Sequence, residues 1–327
     1  MSSPVSTSPP PKSGPRLSGG WRDYLGTLIA LAVILVVFGS VTRHFFGAAN
    51  FRTIANQIPS ALLVATGMTY ILILGQIDLS VGSVLAFSGA ILGVAVDQAH
   101  LPLPLAVAAA LAAGLACGAF NAFVTLRWSL PSFIVTLGTL EMARGAAHAV
   151  TGSRTLYLGS GVEALATAHV LGLSIPFLFA VAVAVVAQLV LTGTIFGRHV
   201  VAIGTNPEAA RLSGIDVKAV QTAVFVATGF LVALAAVIDT SRFQSANPNA
   251  ALGIELQAIA AAVIGGTSLM GGRGSVLGTC LGVLVIAALN SGLAAVGARE
   301  ELKRLVTGAV IIAAVVADLY RRRDKRS

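Results

Sequence analysis

Charge is the scarcest thing in this chain. Of its 327 residues only 10% are Asp, Glu, Lys or Arg, where a soluble domain carries about 25%. So few charges cannot cover a water-facing surface, which excludes an ordinary soluble globule. Cysteine is nearly absent: Cys117 and Cys280 each lie inside an apolar run, so no disulfide framework staples the fold. Lysine is down to Lys12, Lys218, Lys303 and Lys325, and none of them follows a glycine. The phosphate-cradling loop G-x-x-x-x-G-K-[ST] is therefore missing. His44, His100, His148, His169 and His199 are scattered, with no H-E-x-x-H and no pair of acids at helical spacing, so neither a catalytic nor a metal constellation is present. The net charge of +8 does not point to nucleic acid, because the basic residues form no basic-aromatic patch. They sit at the ends of apolar runs, as in a membrane protein.

Apolar residues are what the chain has in excess, at 56%. Crossing the hydrocarbon core takes roughly 20 apolar residues. Ten runs qualify, at 24–41, 55–75, 79–96, 102–126, 131–150, 171–193, 219–238, 255–271, 274–296 and 302–320. They predict an all-α integral membrane protein whose spanning domain covers 24–320. Residues 1–23, rich in Ser, Pro and Gly, read as a disordered cytoplasmic tail, and 321–327 as a basic cytoplasmic tail. With both termini in the cytoplasm, thirteen Lys and Arg fall on inside segments and seven on outside segments; this bias supports the orientation. Small residues recur at four-residue steps, at Gly114/Gly118, Gly89/Gly93 and Gly274/Gly278/Gly282. Such steps let helices approach closely in lipid. The last set also suits contact with a second subunit.

Three stretches interrupt the apolar pattern. The first, Gly75 to Ser83, places Asp78 near membrane depth, where an acid costs about 2.5–3.5 kcal/mol and is usually sheltered. Ser80 and Ser83 are placed to cap the following helix. The second runs from Ile254 to Gly274, with Glu255 at a helix start, where its charge suits the dipole, and a glycine-rich end that must bend. The third is the loop 194–218. Its short helix is capped by Asn206, started by Pro207 and stopped by Gly214, and it suits docking to a cytoplasmic partner.

At these points the sequence resembles a known family. GQIDLSVGSVLAFSG, PSFIVTLGTLEMARG, FGRHVVAIGTNPEAARLSGI and AIAAAVIGGTSLMGGRGSVLGT together are similar to permeases of ribose/xylose/arabinose-type ABC importers. The resemblance covers roughly 50–320 and implies the vitamin-B12-type permease architecture with an internal pseudo-repeat. The second to fifth and seventh to tenth spans would form its halves, with Asp78 and Glu255 in comparable places. It also implies a bacterial inner-membrane location, a second permease, a periplasmic sugar-binding protein, and a cytoplasmic ATP-binding subunit that carries ATP and Mg, with no cofactor in this chain. Arg198, Asn206, Glu208, Ala209, Ala210, Arg211 and Gly214 would couple to that subunit. Asp78, Ser80, Ser83, Asn121, Thr136, Thr139, Glu255 and Asn290 would line the path or its gate. The chain departs from the family pattern at Gln76, commonly glycine, Gln257, commonly aspartate, and Ser291, commonly asparagine. An ion-coupled secondary transporter, or the same machinery carrying a nucleoside, inositol or branched-chain amino acid, stays open at this point.

Overall fold

The computed structural model describes residues 24–42, 45–163, 169–170 and 173–324. The expected tail at 1–23 and the last three residues of the one at 321–327 lie outside these.

Each apolar run read from the sequence holds one helix: α1 (Leu25–Val41), α2 (Ala48–Ile73), α3 (Val81–Asp97), α4 (Leu103–Trp128), α5 (Ser132–Thr151), α6 (Ile175–Gly193), α9 (Val217–Phe243), α10 (Ile254–Ile264), α11 (Val276–Ala295) and α12 (Glu300–Asp324). The loop 194–218 holds two more, α7 (Ile195–Thr205) and α8 (Pro207–Leu212). By length and composition α2, α4, α6, α9 and α11 can each cross a membrane, while α1, α3 and α10 are shorter apolar helices. Among the described residues the remaining regular structure is a 3-10 turn at Gly159–Gly161 and two antiparallel ribbons. These pair β1 (Leu156–Tyr157) with β4 (Ser245–Ala246) and β2 (His169–Val170) with β3 (Leu173–Ser174).

Two expected spans need correction. The run 255–271 is helical only to Ile264, because Gly265 closes the helix and Gly266 turns the backbone to φ +91°. The last helix continues past 320 to Asp324, so the start of the basic tail is helical.

The core sits around α2 and α9. From Leu62 to Leu74 almost every side chain of α2 is buried, including Leu63, Met68, Ile71, Leu72 and Ile73. Helix α9 packs on α4, α2 and α3, and α2 packs on α6, α10 and α11. The α4–α9 contact is backbone against backbone: a Cβ on Gly114 or Gly118 would meet the Gly229 or Phe225 carbonyl. In lipid this closeness is what holds helices together, since dispersion must replace the hydrophobic effect. Helix α1 lies outside this core, touching α11 and exposing Ile29, Val33, Val36 and Val41. Aliphatic side chains on such a face suit lipid.

Two long helices are followed by breaks in the chain. After α2, residues 74–80 are non-helical until α3 begins; after α9, residues 244–253 are non-helical until α10 begins. The first break leaves the end of the bundle where α7 and α8 lie (the α8 end). The second leaves the opposite end, where β1 pairs with β4 (the ribbon end). Just past the first break, the first turn of α3 meets the second break and the start of α10 inside the bundle: a Cβ on Gly82 would strike the Glu255 carboxylate and the Ala251 carbonyl.

Candidate functional site

The first break is a closed polar chain. Thr139 of α5 donates to the Asn121 side-chain oxygen of α4 (2.6 Å), Asn121 donates to the Ser80 hydroxyl (2.9 Å), and Ser80 donates to Asp78 Oδ1 (2.6 Å). The Ser80 amide also donates to Asp78 Oδ1, at 2.8 Å. The backbone before it climbs along α5: the Ile77 amide donates to Ser132 and the Leu79 amide to Thr136. Asp78, Ser80, Asn121, Thr136 and Thr139 are all buried. The gap beside Asp78, between Gly118 and Gly229, is too small for a water molecule. These five path candidates therefore form one satisfied network and line no open passage. Serine capping is corrected: the Ser80 hydroxyl goes to Asp78 and makes no cap bond, and the Ser83 hydroxyl is buried without a partner among the described residues.

The coupling candidates stand together on the α8 end. Asn206 caps α8 by accepting from the Ala209 amide at 3.0 Å, and Gly214, at φ +84°, ends it. Glu208 and Arg211 pair at 2.6 Å, fully in solvent, and the Arg211 hydrogen bond holds the Glu208 carboxyl below its ordinary range. Ala209 and Arg198 are exposed, whereas Ala210 is buried and fastens the helix to the bundle. Leu212 stands 75% exposed at the tip.

What α7 and α8 rest on connects them to the first break and to the loop after α10. A Cβ on Gly204, in the last turn of α7, would run into the Ile73 carbonyl and the Gly272 amide. The Gly272 amide already donates to the Ile73 carbonyl at 2.8 Å, and Gly271 packs on Gly75 and on the Gly204 carbonyl. The end of α7, the base of the first break and the glycine-rich loop after α10 thus meet backbone to backbone. The glycines of that region pack within the chain: Gly278 and Gly282 face Gly265 and Ala261 of the α10 segment, and Gly274 precedes α11 instead of lying on it.

On another side, α2, α10, α11 and α12 enclose a cleft. Its mouth, about 630 Å³, is lined by Asn50, Gln57, Gln257, Asn290 and Ser291, with Glu300, Lys303 and Arg304 at its rim. It narrows into a gap of about 120 Å³ lined mostly by Ile58, Ala61, Ala258, Ala261, Val283 and Ile286. Gln57 and Gln257 are exposed here, and neither side chain has a hydrogen-bond partner among the described residues. Of the path candidates, only Asn290 lies on this cleft; Glu255 lies in the first turn of α10 against α3.

The second break is held from α5. Arg144 donates to the carbonyls of Pro248 and Ala250 (2.7 and 2.9 Å), and His148 meets Asn249 at 3.2 Å. Sequence reading passed over Gly204 in the loop 194–218, and over Arg144, Gln57 and Asp239, which sit inside or at the end of apolar runs. The one available signal was their type: a guanidinium, an acid or an amide inside an apolar run demands shelter or a function.

Residues 50–315 match the family model described as branched-chain amino acid transport system / permease component. The chain is 38% identical to the ribose import permease protein RbsC of Haemophilus influenzae, over 90% of this chain and 92% of that protein. It is 36% identical to the protein of the same name from Escherichia coli K12, over 91% and 94%. It is 32% identical to the L-arabinose ABC transporter permease protein AraH of Azospirillum brasilense, over 99% and 97%. No solved structure matches.

Proposed function

The chain belongs to the branched-chain amino acid transport system / permease component family, and we propose that it is the membrane subunit of an ATP-driven importer of a monosaccharide. The relatives' names, for ribose and arabinose, support a sugar over the family model's own title. In this reading the protein is a multi-pass protein of the bacterial inner membrane with about ten crossings of the vitamin-B12 type. Both termini face the cytoplasm, and the chain has no ATPase site of its own. A partner subunit binds ATP and Mg and receives α8, and a periplasmic binding protein docks at the ribbon end.

The observation that carries this reading is the amide-lined cleft. Amides exposed without partners at membrane depth are costly against lipid, so the face must meet water or protein. We place a second copy, or a related permease, over α2, α10, α11 and α12, with the cleft as half of a shared path. Neutral amides and hydroxyls suit a neutral polyol, and Gln257 and Ser291, where this sequence leaves the family pattern, both line it. The apolar floor of Ile58, Ala61 and Ile286 closes it toward the α8 end. Closure of the ATPases on α8 would move the glycine junction at Gly204, which bears on the first break and on the loop below the cleft. Discrete rearrangement of packed elements is how such a push travels.

The test is uptake of labelled ribose, arabinose, xylose and galactose by cells with and without this gene. Loss of one sugar's uptake on deletion, persisting under a proton ionophore while ATP is maintained, supports the reading. Gly214→Pro, which forbids the φ of +84° that ends α8, should abolish that uptake with membrane insertion intact. Uptake that collapses with the ionophore alone makes the protein a secondary transporter instead.

A further inference from the structure

A second cavity, sharing no lining residue with the cleft, lies between α3, the last turn of α9 and the second break. It holds about 290 Å³, near the lower end of small-molecule sites. Its polar lining is Asp239, Thr240, Ser245 and Asn247, its floor Leu85, and its rim Phe243. Asp239 Oδ1 accepts from Ser60 at 2.7 Å and lies 3.7 Å from Arg242. Its Oδ2 has no partner among the described residues. Asn247 uses its oxygen on the Asn249 amide, and its NH2 group has no partner among the described residues. The hydroxyls of Thr240 and Ser245 likewise have no hydrogen-bond partner among the described residues.

We propose that this cavity binds a single neutral monosaccharide, with Asp239 Oδ2 accepting from its hydroxyls. The inference rests on the sugar-import reading and adds a site at the ribbon end, where cargo would enter. A carboxylate oxygen, two hydroxyls and an amide over an aliphatic floor match the alternating hydroxyls and C–H face of a sugar ring. An anionic ligand fits poorly. The Asp239 carboxylate in the wall repels an anion, and Arg242 beside it is turned to the Asn56 carbonyl, to Asp239 and to the Phe243 ring. A disaccharide exceeds the volume. One wall is the second break itself, so an occupied cavity braces the segment that Arg144 holds from the other side.

The experiment uses the full chain in lipid nanodiscs, with labelled D-ribose, D-allose and L-arabinose as probes. Wild type should bind one of them saturably, and ribose 5-phosphate should not compete. Losing a hydrogen bond to a charged group is worth about tenfold in affinity, so Asp239→Asn should weaken binding by about that factor. Thr240→Val keeps the shape and removes one hydroxyl, so it should weaken binding less, by about threefold. In a Cys117→Ala/Cys280→Ala background, Asn247→Cys should react with maleimide, and the bound sugar should protect it. Labelling that sugar leaves unchanged, or binding that neither variant alters in well-folded protein, overturns the site. Failure of wild type to bind overturns it too, even where the complete transporter imports the sugar. If the complete transporter imports no sugar, the parent reading falls with it.

Discussion

The two breaks each follow a long helix, leave opposite ends of the bundle, and are built in opposite ways. The first, 74–80, carries an acid whose Oδ1 takes two hydrogen bonds, in a gap too small for water. The second, 244–253, borders a cavity of about 290 Å³ that Asp239 of α9 also lines. The first takes its one positive φ at a glycine, Gly75. The second takes positive φ at Gln244 and Ala251 as well as at Gly253, and non-glycine residues hold such angles only under strain. A satisfied, void-free segment has one arrangement. A strained segment beside a void has room for a second. In the proposed reading the first break is then the fixed link beside α7 and α8, and the second the part that rearranges at the ribbon end.

The sharpest way to break this comparison is to remove each acid. Asp78→Ala strands the Ser80 amide and hydroxyl in a dry site, at a cost of about 1–3 kcal/mol each. The expected result is loss of most folded protein on fluorescence-detected size exclusion. Asp78→Asn keeps an acceptor and should recover most of it. Asp239→Ala removes one hydroxyl bond and a 3.7 Å ion pair at a partly open site, and should cost about 1 kcal/mol. Equal damage from both alanines would mean that the second break is as tightly built as the first.

Next in size is the junction under α7. Gly204→Ala pushes a methyl into the Ile73 carbonyl and the Gly272 amide, and backbone there cannot step aside as a flexible side chain would. Overpacking of this kind costs about 1–3 kcal/mol, read as a lower thermal midpoint in detergent. If the junction transmits force, surviving protein should also hydrolyse ATP with its partner without importing sugar. A variant with wild-type stability and import would detach α7 from the first break.

How much of this was legible in the sequence follows from where each feature draws its cause. Helices were legible because lipid demands long apolar runs, and each run holds one. The α8 cap was legible because Asn206 and Pro207 act within one turn. The steps Gly114/Gly118 and Gly278/Gly282 were legible as close-packing faces, though which helix each would meet was not. The first break announced itself through Asp78 among serines and glycines. The second did not: Asn247-Pro248-Asn249 is a turn signal, but Asp239 looked like the polar end of a span. The role of Gln57 and the cavity under Thr240 depend on elements distant in sequence, and no local pattern carries them.

A matched pair of small changes tests the strain directly. Gly75→Ala imposes an L side chain on φ +73° with only ordinary contacts around it, so about 1–2 kcal/mol of backbone strain is the whole cost. Ala251→Gly should work in the other direction. It relieves φ +57° and, after the entropy that glycine loses on folding, leaves a net gain of about 0.5 kcal/mol. Thermal midpoints that move in opposite directions support the contrast between the breaks. Midpoints that both fall remove strain from the account of the second.

The smallest effect on stability belongs to the Glu208–Arg211 pair, and it serves as the control that separates coupling from folding. Arg211 holds the Glu208 carboxyl below its ordinary range, so any stability it lends is present above the unfolded pKa, about 4.3. That contribution is lost only as pH falls through the lower folded value. Between pH 6 and 8 the pair is therefore constant, and because both groups stand in solvent the thermal midpoint attributable to it should not move. Glu208→Gln should leave the midpoint at pH 7 unchanged, and so should Glu208→Arg. Sugar-stimulated ATP hydrolysis by the complete transporter should nonetheless fall with Glu208→Arg, because in the proposed reading the solvent-exposed Glu208–Arg211 pair is the face that the ATP-binding subunit meets. If hydrolysis and import persist with arginine at 208, α8 is a connector, and the first break has no driver on this side of the bundle.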